Sequence, residues 1–205
     1  MSQIAIRRSP EPVAMNLEMG SELRWSDDAL LELCRRNPEL RIERTARGDL
    51  VVMTPAGGAS SRRNARVVAA LVDWADEDGT GAVYDSSGGF LLANGAMRAP
   101  DAAWVPESRL AGLTIEQREG FLPLCPDFVV EVRSPSDSLP ELRAKMAEYL
   151  ANGARLGWLL DPLERRVSVY RPGQRIEILD QPAQISGSPE LPGFVLDLQP
   201  IWQAG

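Results

Sequence analysis

The alternation of apolar and polar residues is clearest near the middle of the chain. The run DFVVEV at residues 127–132 is rich in β-branched side chains and predicts a buried strand, with one carboxylate, Glu131, inside it. A cluster of turn formers follows, and after it we predict a helix that ends at Gly153. The apolar side chains of this helix recur at helical spacing, at Leu139, Leu142, Met146, Tyr149 and Leu150.

Shorter patterns on either side predict further helices and strands. Before the central run they are a helix at 26–38, a hairpin at 40–55, a helix of about five turns from Ser60 or Ser61, two short strands around a Ser-Gly turn at 82–95, a strand at 102–105, and a polar loop with some helical character at 106–126. After it they are a strand at 155–162 and a hairpin at 166–179 with Pro-Gly at its turn. The Pro- and Gly-rich tail ends in the apolar segment GFVLDLQPIW, which we expect to pack against the body.

The length of 205 residues suits one domain with a sizeable core. Residues 1–22 have no regular pattern and are expected to be a flexible leader, followed by a single domain at 23–205. Hydrophobic residues make up 44% of the chain and charged residues 25%, as in ordinary globular proteins. No stretch is long and apolar enough for a membrane span.

Composition narrows the possible chemistry. A formal net charge of −7 argues against a protein that coats nucleic acid, although it allows a local basic groove. The absence of histidine excludes Ser-His-Asp and Cys-His catalysis and any histidine-ligated metal site. Cys34 and Cys125 lack the spacing of a metal site and indicate reduced thiols in a cytoplasmic protein.

Basic residues also show one marked bias. Lysine and arginine together number 22, and Lys145 is the only lysine. Lysine is a compact donor with a tunable pKa, so a single lysine in an arginine-rich chain marks either a position where guanidinium does not serve or a surface residue retained by chance. Lys145 lies at the border of the apolar stripe of its helix, from which its side chain can reach a neighbouring sheet.

The acid in the central strand needs a partner, because burial of an unpaired carboxylate is unfavourable. Glu131 shares a strand face with Val129 and Arg133, so an ion pair with Arg133 or Arg143 is one explanation. A neutral carboxyl is a second explanation, and a cation shared with Asp101, which begins the strand at 102–105, is a third. Two carboxylates on neighbouring strands together with a lysine suit Mg²⁺ and a phosphodiester substrate.

At this point the sequence resembles a known family. Pro100 and Asp101, an acid about thirty residues later at Glu131, and the order of sheet and helix resemble the PD-(D/E)XK restriction-endonuclease-like nucleases. More closely, the chain resembles the Uma family of endonucleases, long labelled a domain of unknown function, over about residues 24–180. The matching segments are Glu43 with GDLVVMTP, Asn64, RAPDAAWVP, PDFVVEVRSPSDS, LRAKMAEYLANGARLGWLLDP and the VYRPG hairpin.

The resemblance implies an α/β (α+β) restriction-endonuclease-like fold, a three-layer core with a mixed β-sheet between helices. It also implies a Mg²⁺ or Mn²⁺ ion held by Asp101, Glu131 and the carbonyl of Val132, with Glu43 assisting from the first hairpin. The superfamily places its lysine two residues after the acid, where this chain has Arg133. In the Uma family the lysine lies on the next helix, which matches Lys145.

We therefore expect a Mg²⁺-dependent endonuclease that hydrolyses nucleic acid, with DNA as its first candidate substrate and a homodimer as one allowed assembly. Lys145 would orient the attacking water or stabilise charge on the phosphoryl oxygens. Four arginines are candidate clamps for the nucleic-acid backbone: Arg62, Arg63, Arg133 and Arg143. The alternative, favoured by the acidic charge and by Arg133, is a nuclease fold that binds a partner without catalysis.

Overall fold

The computed structural model describes residues 15–17, 25–53 and 55–204. The predicted leader at 1–22 lies outside the described residues except for Met15–Leu17, which form the first strand. The strands in chain order are β1 (Met15–Leu17), β2 (Arg41–Arg44), β3 (Leu50–Met53), β4 (Gly81–Asp85), β5 (Phe90–Leu91), β6 (Met97–Arg98), β7 (Ala102–Pro106), β8 (Phe128–Val132), β9 (Leu156–Asp161), β10 (Arg166–Tyr170), β11 (Glu177–Asp180), β12 (Gln184–Ser186) and β13 (Val195–Asp197). The helices are α1 (Asp27–Arg36), α2 (Gly58–Asp78), α3 (Glu107–Leu110), α4 (Ile115–Glu119), α5 (Leu139–Ala151) and α6 (Gln199–Trp202).

The central sheet of the described chain has six strands in the order β11-β10-β9-β8-β7-β4. It is mixed, because β8 and β9 are parallel whereas the other neighbouring pairs are antiparallel. Ala102 of β7 pairs with Val130 of β8, a register that brings Asp101 opposite Glu131. The two acids predicted to act together therefore begin and end adjacent strands.

Side chains alternate along the strands, so each face of the central sheet carries an apolar core covered by a helix, which gives three layers. Phe128, Val130 and Val132 face one side of the sheet, where they pack with α2 and the tail. Val129 faces the other side, together with Met146 of α5. This arrangement, a mixed sheet between helices, confirms the predicted fold class.

A second sheet, β1-β3-β2-β6-β5, flanks this core in the described residues. Its centre is the predicted hairpin, in which Glu43 pairs with Val51. Leu30 of α1 packs against the hairpin residues Ile42 and Leu50, and the hydroxyl of Ser26 accepts a hydrogen bond from the first turn of α1 as its sequence predicts.

The two long helices, α2 and α5, begin close to their predicted starts and bury apolar side chains at helical spacing. Helix α2 begins at Gly58, slightly before the predicted serines, and buries Val67 and Leu71. Helix α5 has proline in its first turn and buries Met146 and Tyr149 against the sheet. Neither these helices nor any other in the described ranges is long and apolar enough to cross a membrane.

The tail packs onto the body, as expected from its apolar composition. Phe194, Leu198, Ile201 and Trp202 are buried in the layer that contains α2. The sequence did not indicate that β12 and β13 pair as a small antiparallel sheet.

A second difference concerns the two short strands predicted at 82–95: β4 joins the central sheet and β5 joins the second sheet, so they do not form a hairpin.

Candidate active site

Asp101 lies at the point where β7 begins and is held by two different elements. Its Oδ2 accepts a hydrogen bond from the backbone N–H of Val132 at 2.8 Å. Its Oδ1 accepts one from the side-chain amide of Asn64 on α2 at 2.7 Å. These contacts fix the carboxylate between the end of β8 and the start of α2.

Glu131 is 4% exposed and interacts with the following helix. Its Oε1 lies 2.8 Å from Nζ of Lys145 and accepts a hydrogen bond from the hydroxyl of Tyr149 at 2.9 Å. Arg133 instead forms an ion pair with Asp161 at 2.7 Å, and Arg143 is exposed. Glu131 therefore has a buried lysine as its partner, and the ion pair considered with Arg133 or Arg143 is not formed.

Lys145 lies between carboxylates from the two sheets. Its Nζ is 2.8 Å from Glu131 and also 2.8 Å from Oε1 of Glu43. The side chain is 14% exposed, which agrees with its position at the border of the apolar stripe. Residues four apart share a helix face, so Lys145 and Tyr149 reach Glu131 together.

Glu43 contacts a second cation as well. Its Oε2 accepts a hydrogen bond from Nη1 of Arg98 at 3.1 Å, and its Oε1 accepts one from the backbone N–H of Ala99 at 2.9 Å. Arg98 also donates through Nε to Glu148 at 2.6 Å. Both oxygens of Glu43 thus accept hydrogen bonds from protein donors, and its contact with Lys145 ties this helix residue to the second sheet.

Burial and charge shift the pKa values of these groups in different directions. Burial raises the pKa of Glu131 to about 7. The ammonium of Lys145 lowers this pKa, whereas the negative charges of Asp101 and Glu43 raise it. Burial also raises the pKa of Asp101. For Glu43 the effect of burial is outweighed by Lys145 and Arg98, so its pKa is lowered. Burial alone would lower the pKa of Lys145, but Glu131 and Glu43 raise it, and the amine stays protonated at neutral pH.

A cavity of about 370 Å³ opens onto these side chains. Its walls are formed by the end of β8, the start of α2, the loop at 134–137 and α5. Five of the predicted site residues line it: Asp101, Glu131, Val132, Lys145 and Arg63. Glu43 is buried behind Lys145.

The other predicted arginines lie outside this cavity. Arg62 is exposed on α2, and Arg143 is exposed on α5. Arg133, at the usual lysine position of the superfamily, is used in its ion pair with Asp161. The structure therefore brings one of the four predicted backbone clamps, Arg63, to the site.

The family model Uma2, described as "Putative restriction endonuclease", matches residues 27–199 of the chain. The chain belongs to the Uma2 family. No curated protein matches it.

One solved structure similar to this Uma2 chain is the crystal structure of a protein from Anabaena variabilis, described as a putative nuclease belonging to DUF820. The TM-score is 0.69 at 20% sequence identity, with 80% of this chain and 90% of that chain covered. At this identity the likeness shows a shared fold. The description of the family supports a nuclease function.

The donor set of this Uma2 chain fits a hard divalent cation. Asp101 and Glu131 offer carboxylate oxygens to one cavity, and burial raises the pKa of both, so a cation there would stabilise their charged forms. The amide oxygen of Asn64, beside Asp101, is buried and accepts no hydrogen bond in the described structure. No group of three or more His, Cys, Asp or Glu side chains in the described ranges could hold a metal, so a cation here would also need backbone oxygen and water as ligands.

Sequence reasoning did not assign a role to several side chains at this site. Tyr149 carried a usable signal, because it lies four residues after Lys145 on the predicted helix. Arg41 and Arg98 carried none, since both come from the second sheet and reach the site through its packing on the core. Asn64 was noted only as part of the family resemblance.

Proposed function

We propose that this protein is a metal-dependent endonuclease that hydrolyses phosphodiester bonds of nucleic acid, with DNA as the substrate and Mg²⁺ or Mn²⁺ as the cofactor. One observation carries the proposal. The buried carboxylate of Glu131 and the half-buried one of Asp101 lie opposite each other on neighbouring strands and face one cavity, and the ammonium of Lys145 lies 2.8 Å from Glu131. The membership of the chain in a restriction endonuclease family supports the same function.

In this proposal Asp101, Glu131 and the carbonyl of Val132 hold the cation. A bound Mg²⁺ or Mn²⁺ supplies Lewis-acid chemistry, which makes water a stronger acid at neutral pH and polarises a phosphoryl group. Asn64 and the N–H of Val132 orient Asp101, and Tyr149 orients Glu131. The carboxylates are therefore held in place before substrate arrives, which is how preorganised sites lower activation barriers.

Lys145 acts as a fixed positive charge. Glu131 and Glu43 raise the pKa of Lys145, which favours the protonated ammonium over a general base at neutral pH. We propose that the ammonium orients the attacking water or stabilises the charge that develops on the phosphoryl oxygens. Glu43 and Arg98 hold the ammonium in position from the second sheet.

The metal and the reaction can be tested with one pair of variants. Glu131→Gln keeps an oxygen that can accept from Lys145 and Tyr149 but removes the charge that binds a cation. Glu141→Gln is the matched control, because it makes the same change on the exposed side of α5. We expect Glu131→Gln to weaken Mn²⁺ binding by about tenfold or more and to abolish Mn²⁺-dependent cleavage of plasmid and single-stranded DNA, while Glu141→Gln changes neither.

Two results would contradict the proposal. Equal Mn²⁺ affinity of Glu131→Gln and the wild type in calorimetry would show that the cation does not bind at this carboxylate pair. A folded wild type that cleaves neither DNA nor RNA with any divalent metal would favour the binding module, for which Arg133 and the acidic net charge of −7 argue. The cytoplasmic location and the homodimer stay predictions.

A further inference from the structure

Among the described residues, Arg63 is a buried cation without a carboxylate partner. The residue is 7% exposed and lines the cavity of the candidate active site. Its Nε donates to the backbone carbonyl of Ile201 at 3.1 Å, and within the described residues it forms no ion pair. Buried charges are costly unless they are paired, so this guanidinium is suited to an anion that enters the cavity.

A second arginine, Arg41 of β2, lines the same cavity. Nη1 of Arg41 is 3.8 Å from Oδ1 of Asp101, and its Nη2 makes a long hydrogen bond of 3.4 Å to the carbonyl of Ala99. Its Nε is buried and has no hydrogen-bond partner in the described structure. Arg41 is thus loosely held next to a proposed metal ligand and has an unused donor.

The start of α2 adds backbone donors to this cavity. The first N–H groups of a helix have no acceptor within the helix, and they carry the positive end of its dipole. Here Gly57 precedes the 21-residue helix without a side-chain cap, and the first turn contains no acidic residue. A Cβ added at Gly57 or Gly58 would meet nothing within 4 Å, so the space in front of this turn is open.

We propose that Arg41, Arg63 and the first turn of α2 form a phosphate-binding subsite beside the carboxylate pair. This inference rests on the proposed function, and it assigns the subsite to a phosphodiester group of the nucleic-acid strand. Guanidinium forks match the geometry of phosphate oxygens, and a helix N-terminus adds N–H donors at the same place. The chain thereby binds a polyanion locally despite its acidic net charge.

Metal-free binding tests the subsite separately from cleavage. The probe is a short DNA oligonucleotide without terminal phosphates, followed by fluorescence anisotropy in EDTA, with inorganic phosphate as competitor. The variants are Arg63→Met and Arg41→Met. Arg66→Met is the matched control, because Arg66 is an exposed arginine of α2 outside the cavity and loses the same charge.

We expect Arg63→Met and Arg41→Met each to weaken DNA binding by about tenfold or more, and Arg66→Met by less than about twofold. Inorganic phosphate should compete with DNA in the wild type. Circular dichroism checks folding, and if Arg63→Met is unfolded the result with Arg41→Met decides, since that side chain is 29% exposed.

Equal losses in all three variants, or no loss in Arg41→Met and Arg63→Met, would overturn the subsite. Loss of phosphate binding without loss of DNA affinity would overturn its assignment to nucleic acid. A wild type that cleaves DNA although these variants bind normally would leave the proposed function intact. If Arg63→Met weakens DNA binding but the wild type never cleaves nucleic acid, the proposed endonuclease function is wrong and the subsite stands.

Discussion

The ammonium of Lys145 is a point charge held between two carboxylates that come from different sheets. Glu131 and Glu43 each lie 2.8 Å from Nζ, and Tyr149 packs with its ring centroid 5.9 Å away. This space fits a compact group with three donors, whereas a guanidinium is planar and longer. The geometry explains why the only lysine of an arginine-rich chain is found here.

Replacement of this lysine by arginine tests that explanation. We expect Lys145→Arg to fold, with a loss of about 1–3 kcal/mol from overpacking, and to lose nuclease activity by about 100-fold or more because the charge is displaced. The measurement is plasmid cleavage at matched folded concentration. Arg66→Lys, the reverse change at an exposed position of α2, is the control and should leave activity unchanged. Full activity of Lys145→Arg would exclude the catalytic role.

Glu131 gives the metal-free protein a pH-dependent stability. Its pKa is raised from 4.5 to about 7, so between these pH values the folded protein holds a proton that the unfolded chain has lost. The free energy of unfolding therefore falls as pH rises through this range, by up to about 3 kcal/mol. We expect urea unfolding in EDTA to show this fall in the wild type and in Glu141→Gln, and a smaller fall in Glu131→Gln, where the raised pKa of Asp101 still contributes.

A purely structural role of Glu131 predicts a different effect of Glu131→Gln on the free energy of unfolding. If the residue is half of a structural ion pair with Lys145, removal of its charge should cost roughly 3–5 kcal/mol at neutral pH. A large loss of stability in Glu131→Gln at pH 7, with no change in its pH dependence, would favour that structural role.

At the scale of elements, the site depends on how closely α5 packs against β9. Gly157 pairs with Val129 on the sheet face that α5 covers. A Cβ added at Gly157 would overlap the terminal methyl of Met146, the residue that follows Lys145. The glycine therefore leaves room for the Met146 side chain between α5 and the sheet.

A double-mutant cycle tests this packing. We expect Gly157→Ala to destabilise the protein by about 1–3 kcal/mol, because the buried Met146 side chain has to move from its place. On a Met146→Ala background the cost of Gly157→Ala should fall by about 1 kcal/mol or more, because the overlapping group is gone. On a Leu150→Ala background it should be unchanged, and an unchanged cost on both backgrounds would contradict the proposed contact.

At the scale of the whole molecule, the tail completes the layer that holds α2. Ile201 and Trp202 are buried, and the carbonyl of Ile201 accepts the hydrogen bond from Arg63. The last apolar segment of the chain thus supports a helix whose first turn faces the candidate site. Stability and site geometry are linked through this contact.

Two alanine substitutions in the tail test its contribution. Ile201→Ala removes a fully buried side chain and should lower the free energy of unfolding by about 2–5 kcal/mol. Val195→Ala, in the same tail but 49% exposed, should change it by less than about 0.5 kcal/mol. Denaturant unfolding measures both, and equal small effects would show that the tail is not part of the cooperative core.

The sequence by itself determined the features that depend on local periodicity. Alternation along 127–132 predicted which side chains of β8 face each layer, and helical spacing placed Lys145 at the border of α5. The resemblance to the nuclease family implied the fold class, and Asp101 and Glu131 were expected on neighbouring strands, as the register of β7 and β8 has them. These predictions hold because strand and helix periods fix side-chain direction within a few residues.

Only the tertiary structure decided which charged groups meet. Arg63 lines the cavity whereas the neighbouring Arg62 is exposed, and Arg133 forms an ion pair with Asp161. The tertiary structure also brought Glu43 and Arg98 of the second sheet to Lys145, a helix residue about fifty or a hundred positions away. Long flexible side chains find partners by packing between distant elements, and no local pattern encodes that packing.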